Sequence, residues 1–257
     1  KLRPDQIADA ERFLNEESHA GLNASVVGAG KSACTVEAVL KSGAKSTLIV
    51  APLNTLDGWR RAFRLQGDKE VEFLSSKEPD RMVGLVNGRP GVRFIGWEWA
   101  RSMNLANVPV DFVVFDEAHR GVSRKALSHV MMRGLALNTR DRGGRAVALS
   151  ATPYGNKLAG AVGVCHALWG ERKDLKFHAF WPFVNEYLGT SRTPWAIEPN
   201  NVERYPGMIA DHMPLYWRHQ QGVQCCEFHP NGIQDDLPPR VIHRVLVPLT
   251  AAQRRLY

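Results

Sequence analysis

SVVGAGKS, Ser25 to Ser32, is the stretch from which the rest of the chain can be placed. Gly28 and Gly30 let a backbone curl without a Cβ clash and bring its N–H groups close to a ligand. Lys31 follows, and Ser32 opens a segment in which Ala33, Val36 and Leu40 fall on one helical face. A strand, the turn Gly28–Ala29–Gly30 and a helix N-terminus make an anion site, because backbone donors and helix dipole both point at a phosphate. The spacing predicts that Lys31 reaches the β- and γ-phosphates of a nucleotide and that the Ser32 hydroxyl ligates Mg²⁺. A full phosphate loop has glycine where this chain has Ser25. Alone, the motif therefore also fits an ordinary strand-to-helix turn.

A second motif decides between them. In VDFVVFDEAH, Val110 to His119, an apolar run ends in two acids about 85 residues after the loop. A strand ending in Asp116 places a carboxylate at the edge of the sheet beside the phosphate loop, where it can hold Mg²⁺ through water. Glu117 points elsewhere and can orient or deprotonate an attacking water. AVALSAT, Ala146 to Thr152, repeats the format of an apolar strand followed by polar residues.

Around these motifs the chain reads as alternating strands and helices. KLRPDQIADAERFL predicts a helix with Ile7, Ala10 and Leu14 on one face and Pro4 in its first turn. Short strands are expected near Ala24 to Val27, at TLIVAP (Thr47 to Pro52) and at VRFIGW (Val92 to Trp97). Leu56, Trp59 and Phe63 share one face of a helix over Leu53 to Leu65. The alternation points to parallel βαβ units in a doubly wound α/β sheet, whose ligands bind at the C-terminal strand ends. Leu158, Ala161, Val162, Cys165, Leu168 and Trp169 form a core-like helical stripe. Four prolines between 189 and 214 mark an irregular insertion, and VIHRVLVPL regains strand alternation before another helix begins at Ala251.

Composition limits the possible partners. Of 257 residues, 44% are hydrophobic, enough for a sizeable core, and the net charge of +7 favours a polyanion. Arg120 to Arg145 carries seven Arg or Lys against Asp141 alone, a solvated face or a nucleic-acid contact. Cys34, Cys165, Cys225 and Cys226 offer no Cys-x-x-Cys pair and no disulfide framework, so a reducing compartment is expected, cytoplasmic or nuclear. No apolar run is long enough for a membrane span. The start at Lys1 and the stop in mid-pattern at Tyr257 read as a piece of a longer protein. Cys225, Cys226 and His229, with His212 and His219 upstream, raise a zinc reading, but adjacent cysteines chelate poorly.

The order LRPDQ, GAGKS, VAPLNTLDGW, DEAH and LSATP resembles the first RecA-like lobe of a superfamily 2 helicase or translocase. The tail LPPRVIHRVLVPLTAAQRRLY, Leu237 to Tyr257, and TLIVAPLNTLDGWRRAF are similar to segments of the Swi/Snf-type family. The resemblance implies a P-loop three-layer α/β sandwich over residues 1–188 and a helical or irregular insertion at 189–236. It implies that 237–257 leads toward a second RecA-like lobe supplying an arginine finger. ATP and Mg²⁺ are the implied cofactors, and double-stranded DNA the implied partner, within a larger nucleoprotein assembly. Arg3 and Gln6 then resemble an adenine-reading element, and Gly28, Ala29, Gly30, Lys31 and Ser32 take phosphates and metal. Asp116 and Glu117 take metal and water, while His119, Ser150 and Thr152 couple the γ-phosphate to DNA contacts and lobe closure. Pro52, Asn54 and Thr55, with Gly96, Trp97 and Glu98, correspond to segments that track phosphates of one DNA strand, contacts that carry little sequence information. Trp59 and Trp97 can stack on bases in principle, but packing under the strand ends suits large aromatics better. The chain departs from the family pattern at Ser25, at SAT where a GT pair is commoner, and at WRHQQ, Trp217 to Gln221. Two other readings share these motifs: a strand-separating DNA or RNA helicase, and a nucleotide-gated nucleic-acid-binding module that moves nothing.

Overall fold

The computed structural model describes residues 2–14, 19–121, 123, 126–153, 160–170 and 216–217. The chain runs α1 (Pro4–Phe13), β1 (Ala20–Asn23), α2 (Lys31–Lys41) and β2 (Ser46–Ala51). A 3-10 turn (Leu53–Thr55) then leads into α3 (Leu56–Gly67), β3 (Val71–Phe73), α4 (Pro79–Val86), β4 (Gly91–Gly96) and α5 (Trp97–Ala100). Next come β5 (Phe112–Asp116), a second 3-10 turn (Ala118–Gly121), α6 (Leu127–Asp141), β6 (Arg145–Leu149), α7 (Gly160–Trp169) and β7 (Tyr216–Trp217). Among the described residues the strands form one sheet in the order β3-β4-β2-β5-β6-β1-β7, and every pairing is parallel.

Alternation along each strand divides the core in two. Leu48, Val50, Val113, Phe115, Ala146 and Ala148 face one side, packing with residues of α4, α5, α6 and α7. Ile49, Ala51, Phe112, Val114, Val147 and Leu149 face the other, against α1, α2 and α3. Strands buried on both faces must read as continuous apolar runs, which is why TLIVA and FVVF were legible. The result is the expected three-layer sandwich.

Several elements differ from the sequence expectation. The strand entering the phosphate loop is Ala20–Asn23, four residues before the predicted Ala24 to Val27. Helix α1 buries Asp5, Gln6, Asp9, Ala10 and Phe13, while Ile7 is exposed. A polar network accounts for that choice of face: the Asn23 amide donates to Asp9, which also pairs with Arg12. Helix α2 buries Cys34, Thr35, Val36, Ala38 and Val39, so its inner face is rotated away from Ala33. In α3, Trp59 and Phe63 are buried as expected. Strand β3 and helices α4, α5 and α6 went unread in the sequence.

Three of the described basic residues of the stretch are engaged at separate places. Arg120 pairs with Glu98 at 2.6 Å, Arg140 donates to the Leu168 carbonyl, and Arg145 donates to the Phe13 carbonyl. Helix α6 carries Arg140 away from Arg120, toward the end of the sheet where β6 begins, and Arg124 and Lys125 lie outside the described residues.

Of the predicted stripe, Val162, Cys165, Leu168 and Trp169 are buried in α7; Leu158 and the side chain of Ala161 lie outside the described residues. Tyr216–Trp217, within the stretch read as an irregular insertion, pairs in parallel with β1. The rest of 171–257 lies outside the described residues, including the zinc-reading residues His212, His219, Cys225, Cys226 and His229, the bounds at 188/189 and 236/237, and the returning strand. Among the described residues no helix is long and apolar enough to cross a membrane.

Asp111 shows how the sheet is started. Its carboxylate accepts the backbone N–H groups of Lys45 (2.8 Å) and Ser46 (2.9 Å), tying the entry of β2 to that of β5. Asp111→Ala leaves two strand-entry donors to water and should lower stability by about 1 kcal/mol, read as a shift in the chemical-denaturation midpoint.

Candidate nucleotide site

Every predicted nucleotide-site residue beyond α1 lies at or just after the C-terminal end of a strand. The phosphate loop leaves β1, Asp116 ends β5, and Ser150 follows β6. Strand β6 lies between the other two, so Asp116 is not the loop's immediate neighbour as the sequence reading had it. Ser150 is placed between them.

Gly28 and Gly30 have φ of +86° and +89°, values that side chains with a Cβ rarely adopt. Gly30 has a second constraint, since a Cβ there would collide with Nε2 of Gln6. The Gln6 amide therefore lies directly against the loop, and its Oε1 accepts the backbone N–H of Arg3 at 3.0 Å. The Arg3 guanidinium grips Asp5 through two contacts of 3.1 Å and donates to the Ala29 carbonyl at 3.2 Å. Helix α1 is thus latched to the loop by the two residues predicted to read the base. Arg3→Ala removes this charge-assisted latch and the cation beside the buried Asp5, so it should weaken nucleotide affinity roughly three- to thirtyfold, measured by titration with a fluorescent ATP analogue, and lower stability by about 1–3 kcal/mol, measured by chemical denaturation.

The Lys31 ammonium donates to the Ser25 (2.8 Å) and Val26 (3.1 Å) carbonyls, so it lies folded along its own loop. The buried Ser25 donates its backbone N–H to Asn23 Oδ1 at 3.0 Å. Burial holds the Lys31 pKa below the usual lysine range, while the nearby Glu117 and Asp116 carboxylates favour its charged form. Loop lysine and both acids therefore meet in one electrostatic environment, although they are far apart in sequence.

Asp116 is 9% exposed and burial pushes its pKa up, against the opposing pull of the Trp59 indole N–H and Lys31. Its Oδ2 accepts from Trp59 Nε1 at 3.0 Å and its Oδ1 from the Glu117 N–H at 3.0 Å. Its main-chain carbonyl accepts from Trp97 Nε1 at 2.7 Å. Both tryptophans are buried, at 1% and 2% exposure, which closes base stacking to them and fits the packing expectation. Their bonds to Asp116 were not foreseen. Glu117 has a left-handed φ of +52°, a conformation that costs a non-glycine residue about 1 kcal/mol or more.

His119 Nδ1 lies 3.2 Å from Glu117 Oε2 and 3.3 Å from Ser150 Oγ. A carboxylate can only accept, so Nδ1 carries the proton in this contact. Ser150 Oγ in turn accepts the Thr152 N–H at 3.2 Å. The three residues predicted to couple the site therefore form one chain starting at Glu117. Asn54 is exposed just beyond β2, and the Thr55 hydroxyl donates to the Pro52 carbonyl at 2.8 Å. Gly96 lies against Leu53, and Glu98 is engaged by Arg120. These two segments stand side by side because β2 and β4 are paired from Ser46↔Gly91 to Ala51↔Gly96.

The donors suit Mg²⁺: the Asp116 carboxylate and the Ser32 hydroxyl are hard oxygen ligands, and both carboxylate oxygens keep a free lone pair. Cys34 and Cys165 are buried, and burial pushes both thiols up, so neither is a reactive thiolate.

A parallel α/β sandwich with a glycine-rich loop, an acid pair and a hydrogen-bonded Glu117–His119–Ser150 chain at the C-terminal strand ends is a phosphate-loop fold. No protein-family model matches the chain, and no curated protein does. Among solved structures it is similar to the Sulfolobus solfataricus SWI2/SNF2 ATPase core in complex with dsDNA, at 16% identity and TM-score 0.61. That match covers 85% of this chain and 44% of the other. The SWI2/SNF2 ATPase core domain of the same organism matches at 18% identity and TM-score 0.61, over 93% and 46%. The chain spans less than half the length of each. The likeness establishes the fold alone: a RecA-like P-loop α/β sandwich shared with part of those SWI2/SNF2 ATPase cores.

Proposed function

We propose that this chain is the first motor lobe of an ATP-dependent translocase on double-stranded DNA. The observation that supports this reading best is the meeting of Lys31, Asp116 and Glu117, with the His119–Ser150 chain leading away from Glu117. Gln6 and Arg3 hold the base side, and loop N–H groups with Lys31 hold the phosphates. Ser32 and Asp116 would hold Mg²⁺, which would neutralise phosphate charge. Glu117 orients the attacking water and accepts its proton. From Glu117 the coupling chain passes through His119 to Ser150 and Thr152, just beyond β6.

Pro52, Asn54 and Thr55, with Gly96 to Glu98, form the proposed phosphate-tracking edge. The fold shared with a SWI2/SNF2 core solved on dsDNA supports duplex as the track. A second lobe completes the site with an arginine finger, worth about 10³–10⁵ in rate in related phosphoryl transfers, so residues 1–257 alone should bind nucleotide weakly and turn it over poorly. The test compares ATPase stimulation of the full-length protein by blunt duplex, single-stranded DNA and RNA. Preference for duplex supports the translocase, preference for a single strand supports a helicase, and binding without turnover supports a nucleotide-gated module.

A further inference from the structure

Two buried tryptophans from opposite layers of the sandwich spend their single polar atom on the same residue. Trp59 belongs to the core on the α1–α3 side and Trp97 to the core on the α5–α7 side, yet both indole N–H groups end on Asp116. A buried indole needs an acceptor, and main-chain carbonyls are the common solution. Trp97 follows that rule but takes the carbonyl of Asp116, while Trp59 takes the carboxylate itself.

We propose that Trp59 and Trp97 are positioning residues that set the metal-binding geometry of Asp116, a role that rests on the nucleotide-site reading above. Trp97 pins the backbone at the last residue of β5. Trp59 on Oδ2 and the Glu117 N–H on Oδ1 then fix the carboxylate plane, leaving one lone pair on each oxygen for the metal and its water. Outer-sphere hydrogen bonds of this type orient carboxylate ligands, and their loss typically costs about ten- to a hundredfold in metal affinity. The arrangement also ties Asp116 to the two segments proposed to meet DNA. Trp59 lies one helical turn beyond Thr55, and Trp97 directly follows Gly96.

The test is a Mg²⁺ and Mn²⁺ titration of fluorescent-ATP binding to the full-length Trp59→Phe protein, with binding in EDTA as the baseline. The expected result is a rise of about tenfold or more in the metal concentration for half-maximal enhancement, with EDTA binding unchanged. Site-specific replacement of Trp59 by benzothienylalanine keeps the ring and removes only the donor; it should reproduce the shift even if Phe unfolds the chain. An unchanged metal requirement in the folded benzothienylalanine protein overturns the positioning role. Wild-type protein that binds no nucleotide, with or without metal, overturns the nucleotide-site reading and this inference with it.

Discussion

Glu117→Gln in the full-length protein is expected to lower ATP turnover by about 10²–10⁴-fold while leaving ATP affinity within a few-fold of wild type. The amide keeps the size and the acceptor oxygen that His119 meets at 3.2 Å but cannot take a proton from water. Its left-handed backbone is unchanged, so the cost falls on chemistry and not on folding. Single-turnover hydrolysis beside equilibrium nucleotide titration separates the two. Retained turnover would assign the proton to another group, and lost affinity would make Glu117 part of the binding site.

Lys31→Ala is expected to act on the opposite quantity. Removing the ammonium takes one cation from the phosphate site, a loss of about 2–5 kcal/mol, or roughly thirty- to several-thousand-fold in affinity. Its pH dependence has a definite sign. Burial lowers the Lys31 pKa in the folded protein, so the penalty on the charged form is full below that pKa and is relieved progressively as pH rises from it toward the ordinary lysine range. Wild-type nucleotide affinity should therefore decline on the alkaline side at lower pH than for an ordinary lysine, and the Ala variant should lack this limb. Isothermal titration across an alkaline pH series checks both statements.

The parts legible in the sequence were those whose chemistry is local. Gly28, Gly30, Lys31 and Ser32 lie within one loop, and FVVFDE announces both a doubly buried strand and its terminal acids. Strand β1 was misplaced because AGLN lacks the β-branched residues that SVV supplies just downstream. Helix α1 was rotated because Asp5 and Asp9 are buried by partners no local pattern can show: Arg3 for one, Asn23 and Arg12 for the other. Strand β3 spans only three residues, too short for a period to appear. Helix α6 went unread because its basic residues drew the reading of that stretch, although Met131, Met132, Leu135, Ala136 and Thr139 give it an inner face at helical spacing. Trp59 and Trp97 were recognised as core, but which acceptor a buried indole finds depends on how helix and strand pack.

The measurement that tests the central claim most directly is the ATPase rate of the full-length protein, with and without blunt duplex DNA, at two salt concentrations. The account predicts strong stimulation by duplex that fades as salt rises, because the track is held through phosphate contacts. A rate unmoved by any nucleic acid would contradict the motor and leave only the nucleotide site.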